Sequence, residues 1–107
     1  MRRWNGWGDD TVVYPLHEGP RRFLEELVGR GTPPQDATME EVATAVPPSR
    51  LTEHRMISIS SADRVRHARG QSLPDWIAMR SGRIPTLPDG VAYPATDEHV
   101  RELLQYA

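Results

Sequence analysis

The chain has 107 residues, with 13 basic and 15 acidic side chains and a formal charge of -2 at neutral pH. That balance excludes the dense basic footprint of a nucleic-acid binder or a polybasic membrane surface. The absence of cysteine excludes a disulfide framework and a thiolate metal site, and fits a cytoplasmic setting.

The mean hydropathy of -0.60, with 37% hydrophobic residues and 10 prolines, leaves little apolar material for a core. No apolar run reaches the length of a transmembrane span. Residues 1–19 place Trp4, Trp7 and Tyr14 among glycines, a composition that predicts an irregular arm. From Pro20 a helix follows, with Phe23, Leu24, Leu27 and Val28 on one face and Gly29 or Gly31 closing it. Thr38 and Glu41 have capping-box spacing ahead of a short helix that Pro47–Pro48 ends. Leu51–Ile59 reads as a partly extended connection in which Ile57 and Ile59 alternate with serines. Ser60 with Asp63 opens the next helix, expected to run to Gly70. Ser72 with Asp75 opens another, which Gly82 stops.

The last segment is a turn at Pro88–Asp89–Gly90, a strand of about three residues from Val91, a stop at Pro94, and a helix from Thr96 or Asp97. It reads as the opening of an α/β layer whose strand lacks a partner within the chain. The whole is therefore expected to be an α+β region, and an incomplete domain: short helices and an irregular arm over 1–87, then the start of a further domain over 88–107.

Chemistry-bearing residues are sparse. The indoles of Trp4 and Trp7, separated by Asn5 and Gly6, suit close packing between backbones or the lining of a pocket. Asp63, Arg64 and His67 sit within about one helical turn, where a carboxylate near an imidazole can orient it for proton transfer or an ion-pair network can hold the helix in place. His17, His54 and His99 have no metal-binding spacing, and neither a glycine-rich dinucleotide fingerprint nor a phosphate loop is present. The residues alone compose no complete catalytic constellation.

Together these segments resemble a known family. Trp4–Asn5–Gly6–Trp7–Gly8 is similar to the opening of alkyl-dihydroxyacetonephosphate synthases and their bacterial flavoprotein relatives. Asp63–Arg64, His67, Gly70 and Ser72 resemble the Asp-Asp-Arg…His-x-x-Gly run ahead of their flavin domain, with Ala62 in place of the first acid. Trp76–Pro85 resembles the stretch leading into that domain, and Pro88–Pro94 with Thr96, Glu98 and Val100 its first strand and helix. The resemblance implies the N-terminal portion of an FAD-linked, vanillyl-alcohol-oxidase-like enzyme that is not catalytically competent alone. The family also includes FAD-dependent oxidases and dehydrogenases of 2-hydroxy acids; a standalone protein-interaction module anchored by Trp4 and Trp7 is the rival class. FAD belongs to the parent in this reading, and the chain alone is expected to bind none. Pro94 marks the only cofactor-proximal position. Arg64, His67, Trp4 and Trp7 are the candidates at a substrate site or domain junction. The implied partners are the remaining flavin and cap domains, with a homodimer of the parent left open.

Overall fold

The computed structural model describes residues 1–107, a small α+β domain of five short helices and a two-stranded antiparallel sheet. Local signals explain most boundaries. Helix α1 spans Glu18–Val28 and ends at Gly29, whose φ of 87° lies in the region open to glycine. Helix α2 spans Met39–Thr44 behind a complete capping box, with Thr38 and Glu41 each satisfying the other's backbone N–H.

Helix α3 is shorter than the spacing suggested. It spans Ser61–Arg66, and His67 already serves as its C-cap, so the helix stops before Gly70. Its box is also only half formed: Ser60 accepts the Asp63 N–H, but the Asp63 carboxylate turns to the Ser58 hydroxyl at 2.5 Å. Helix α4 spans Leu73–Ser81 with the Ser72–Asp75 box intact, and Gly82 closes it at φ 70° in the left-handed region. Helix α5 spans Asp97–Tyr106, capped by the Thr96 hydroxyl.

The strand expected to lack a partner has one. Strand β1 (Ile57–Ser58) pairs antiparallel with β2 (Val91–Ala92), in the register Ile57 to Ala92 and Ser58 to Val91. Tyr93 N–H extends the ladder to the Met56 carbonyl at 3.0 Å. The pairing escaped the sequence because a two-residue strand shows no alternation long enough to read. Gly90 makes it sterically feasible: a Cβ there would lie 2.6 Å from the Ile57 side chain and 2.9 Å from that of Leu51.

The core is small. Val42, Met56, Val65, Trp76 and Met79 are its buried apolar residues, drawn from α2, α3, α4 and the residue before β1. Asn5 is buried beside them, and its amide donates to the Asp36 carboxylate at 2.9 Å and the Ala37 carbonyl at 3.3 Å. Ala37 N–H in turn reaches the Arg80 carbonyl, so the N-terminal arm, the 36–37 loop and α4 form one hydrogen-bonded seam. Helix α5 docks on the 52–55 segment, with Tyr106 donating to the Thr52 carbonyl at 2.9 Å and Glu102 pairing with Arg55. Neither α1 nor α5 contains a buried residue, but α1 has no such long-range polar contacts.

Candidate functional site

The two halves of the Arg64–His67 pair have different fates. Arg64 is 2% exposed. Its guanidinium donates to the Pro88 carbonyl at 2.7 Å and the Pro47 carbonyl at 2.6 Å, with the Asp89 carboxylate 3.9 Å away. The side chain joins the end of the 38–48 segment to the turn before β2, and its forked donors are spent on main-chain oxygens. Asp89 is held in turn by Arg50, whose side-chain hydrogen bonds keep the carboxyl below its ordinary range.

His67 is exposed, one turn later. Its Nδ1 lies 2.8 Å from the Asp63 carbonyl. A carbonyl oxygen only accepts, so Nδ1 carries the hydrogen and Nε2 is left for other partners. The ring stands edge-on to Tyr93, with centroids 6.0 Å apart. Asp63 does not touch the imidazole with its carboxylate; the Ser58 hydroxyl, ahead of smaller contributions, holds that carboxyl below its usual range. The oriented carboxylate–imidazole couple is therefore absent, and the contact that fixes His67 runs through the main chain.

Trp4 and His67 meet at one opening. A cleft of about 280 Å3 between the N-terminal arm and the α3–α4 junction is lined by Trp4, His67, Gln71 and Trp76. Three arginines complete the lining, Arg2, Arg3 and Arg66, and no carboxylate does. Arg3 is already engaged, donating to the Asp9 and Val12 carbonyls and lying 3.8 Å from Asp36. Arg2 and Arg66 form no ion pair. Trp76 Nε1 is buried without a hydrogen-bond partner.

Trp7 lies on the other side of Trp76, the two indoles edge to face with centroids 6.1 Å apart. With Gly6, Leu73, Ile77 and Arg80 they line a second opening of about 360 Å3. Trp7, Leu73 and Ile77 are each about 60% exposed. The sequence singled out the tryptophans of the opening motif; it missed Asn5, the residue of that motif whose amide fixes the strip in place. An asparagine between two aromatic residues gives no periodic signal, so nothing short of the fold marks it.

Pro94 is exposed between β2 and α5. The surrounding donors do not fit a dinucleotide cradle. Thr96 takes the His99 N–H, the His99 ring takes the Ala95 N–H, and no glycine-rich turn faces them. No group of three or more histidine or acidic side chains has metal-binding geometry. No helix is long and apolar enough to cross a membrane.

No family model matches the chain, and no solved structure does. Over 84 residues it is 29% identical to Protein Rv2250A of Mycobacterium tuberculosis, a match that takes in 68% of this chain and 56% of that protein.

Proposed function

We propose that this chain is the N-terminal portion of an FAD-linked oxidoreductase-fold enzyme similar to alkyl-dihydroxyacetonephosphate synthase. The flavin and the reacting groups belong to the rest of that protein. The reading rests on the resemblance of Trp4–Gly8, Asp63–Ser72, Trp76–Pro85 and Pro88–Val100 to the family's N-terminal run. The observation that carries it physically is exposure: 8 of 107 residues are buried, while α1 leaves Phe23, Leu24, Leu27 and Val28 open. Apolar faces of that extent mark surfaces that other protein covers.

The chain's own part is positional in this reading. Arg64 fixes the turn at Pro88 from which β2 and α5 depart, and thus sets where a following flavin domain starts. FAD would supply the electron-accepting chemistry, and this chain would supply the frame that places it.

Flavin retention tests the reading. The reading frame carried past Ala107 is expressed, and the purified product is scored for bound flavin by its visible absorbance beside the 107-residue chain. Stoichiometric flavin in the longer protein and none in the shorter is the expected result. Micromolar binding of FAD by the 107 residues alone, or a flavin-free longer product, overturns it. A second reading, a protein-interaction module, is favoured by one observation: Trp7, Leu73 and Ile77 gather exposed apolar surface around a buried indole.

A further inference from the structure

We infer that the two openings on either side of Trp76 form one bipartite docking surface for a protein segment that carries a carboxylate close to a large apolar side chain. The inference concerns residues 2–7 and 66–80 alone and does not depend on the flavin reading. Trp76 lines both openings, so the two are adjacent, separated by one indole. On one side lie Trp7, Leu73 and Ile77, apolar and each more than half exposed, beside Gly6 and Arg80. On the other lie Arg2 and Arg66, without ion pairs, beside His67 and Gln71.

Charge complementarity selects the occupant. Neither guanidinium has a hydrogen-bonded carboxylate, though Arg66 lies in the field of Asp63; no acidic side chain lines their opening, and Nε2 of His67 and the Gln71 amide add hydrogen-bonding capacity. The apolar side takes a leucine, isoleucine or phenylalanine against the Trp7–Trp76 edge-to-face pair. Tryptophan and arginine are also the residue types that dominate binding energy at protein interfaces. A whole dinucleotide is excluded by size. Each opening, at about 280 and 360 Å3, matches the small end of ligand pockets and accommodates one or two side chains.

The test uses the full 107-residue chain and two blocked peptides, Gly-Asp-Glu-Ser-Leu-Phe-Gly and its Asn-Gln counterpart. Intrinsic tryptophan emission reads binding, because the surface contains all three indoles of the chain. The acidic peptide is expected to shift the emission saturably, to weaken as salt rises, and to bind at least about tenfold more tightly than the amide peptide, a difference of about 1.4 kcal/mol. The exposed double substitution Arg2→Gln with Arg66→Gln should abolish that preference, and Ile77→Ser should weaken both peptides alike. Circular dichroism of each variant must match the parent for the comparison to count, and Arg66→Gln alone, expected to reduce the preference, serves as a milder substitute if the double variant misfolds. No saturable response, equal affinity for the two peptides, or undiminished preference in the arginine variant overturns the inference. An identical emission response to inorganic phosphate, competing with the peptide, also overturns it by assigning the cleft to small anions.

Discussion

Arg64 makes the sharpest residue-scale prediction. Its charge is buried and its donors reach the carbonyls of Pro47 and Pro88. Arg64→Ala removes a buried charged donor from two part-buried hydrogen bonds and leaves a void, and should lower the unfolding free energy by about 2 kcal/mol. Arg64→Lys keeps the charge but cannot span both carbonyls with one planar fork, so it should recover only part of the loss. Urea titration followed by near-ultraviolet dichroism of the Trp76 environment measures both. Unchanged midpoints would show that the two carbonyls are equally well served by solvent. Asp63, Asp75, Asp89 and Glu102 give a pH prediction. Each is held below its ordinary pKa, Asp63 by Ser58, Asp75 by Ser72, Asp89 by Arg50 and Glu102 by Arg55. A depressed carboxyl contributes stability that is present above its unfolded value, near pH 4, and is lost as pH falls through the folded value. The melting temperature should therefore hold from neutrality to about pH 5 and decline below it, which a calorimetric series at constant ionic strength will show.

At the scale of elements, capping decides where helices stand and packing decides how long they last. Helix α4 carries every local signal at once: Ser72 and Asp75 close its box, Pro74 occupies the first turn, and Gly82 turns the chain out. Ser72→Ala should cost about 1 kcal/mol. Gly82→Ala should cost more than that, because the residue must hold φ 70° and its Cβ would lie 3.1 Å from the Ala37 Cβ. Chemical denaturation of the two variants checks the order. Strand β2 depends on a different kind of fit. Gly90→Ala would drive a methyl into Ile57 and Leu51, so β1 and β2 should separate while the helices persist. Loss of hydrogen-exchange protection at the Tyr93 amide, with the Met79 region unchanged, is the expected signature.

The whole molecule is extended for its length. Its radius of gyration is 18.2 Å and its long axis 57 Å, whereas a compact domain of about 100 residues has a radius near 13 Å. Helix α1 accounts for much of this on composition as well as shape, since none of its residues is buried and its ion pairs, Arg21 with Glu18 and Glu25, are local. Such a helix has only intrahelical support, and isolated helices of this length are marginal in water. Amides in 18–28 should exchange within the dead time of a manual experiment, while those of Val65 and Met79 should be the slowest in the chain. Slow exchange across α1 in a monomer would mean that it is packed in solution in a way this fold does not provide.

Residues close together in the sequence determined most of the secondary structure. The boxes at Thr38 and Ser72, the cap at Ser60 and the glycines at 29 and 82 all act within a turn of their own helix, so their effects follow from spacing alone. The apolar stripe of α1 was equally legible, but a stripe says only that a face is apolar and not whether anything covers it. Three outcomes required the tertiary structure. The pairing of Ile57–Ser58 with Val91–Ala92 joins strands more than thirty residues apart that are too short to show a period. The division of Arg64 from His67 depends on where α3 ends against Pro47 and Pro88, since i and i+3 positions share a face only while the helix lasts. The meeting of Arg2, Trp4 and Arg66 around Trp76 depends on the arm folding back along α4 through Asn5. Local hydrogen bonds set the elements; long-range burial and closure, which no short window of residues encodes, set which of their side chains share a surface.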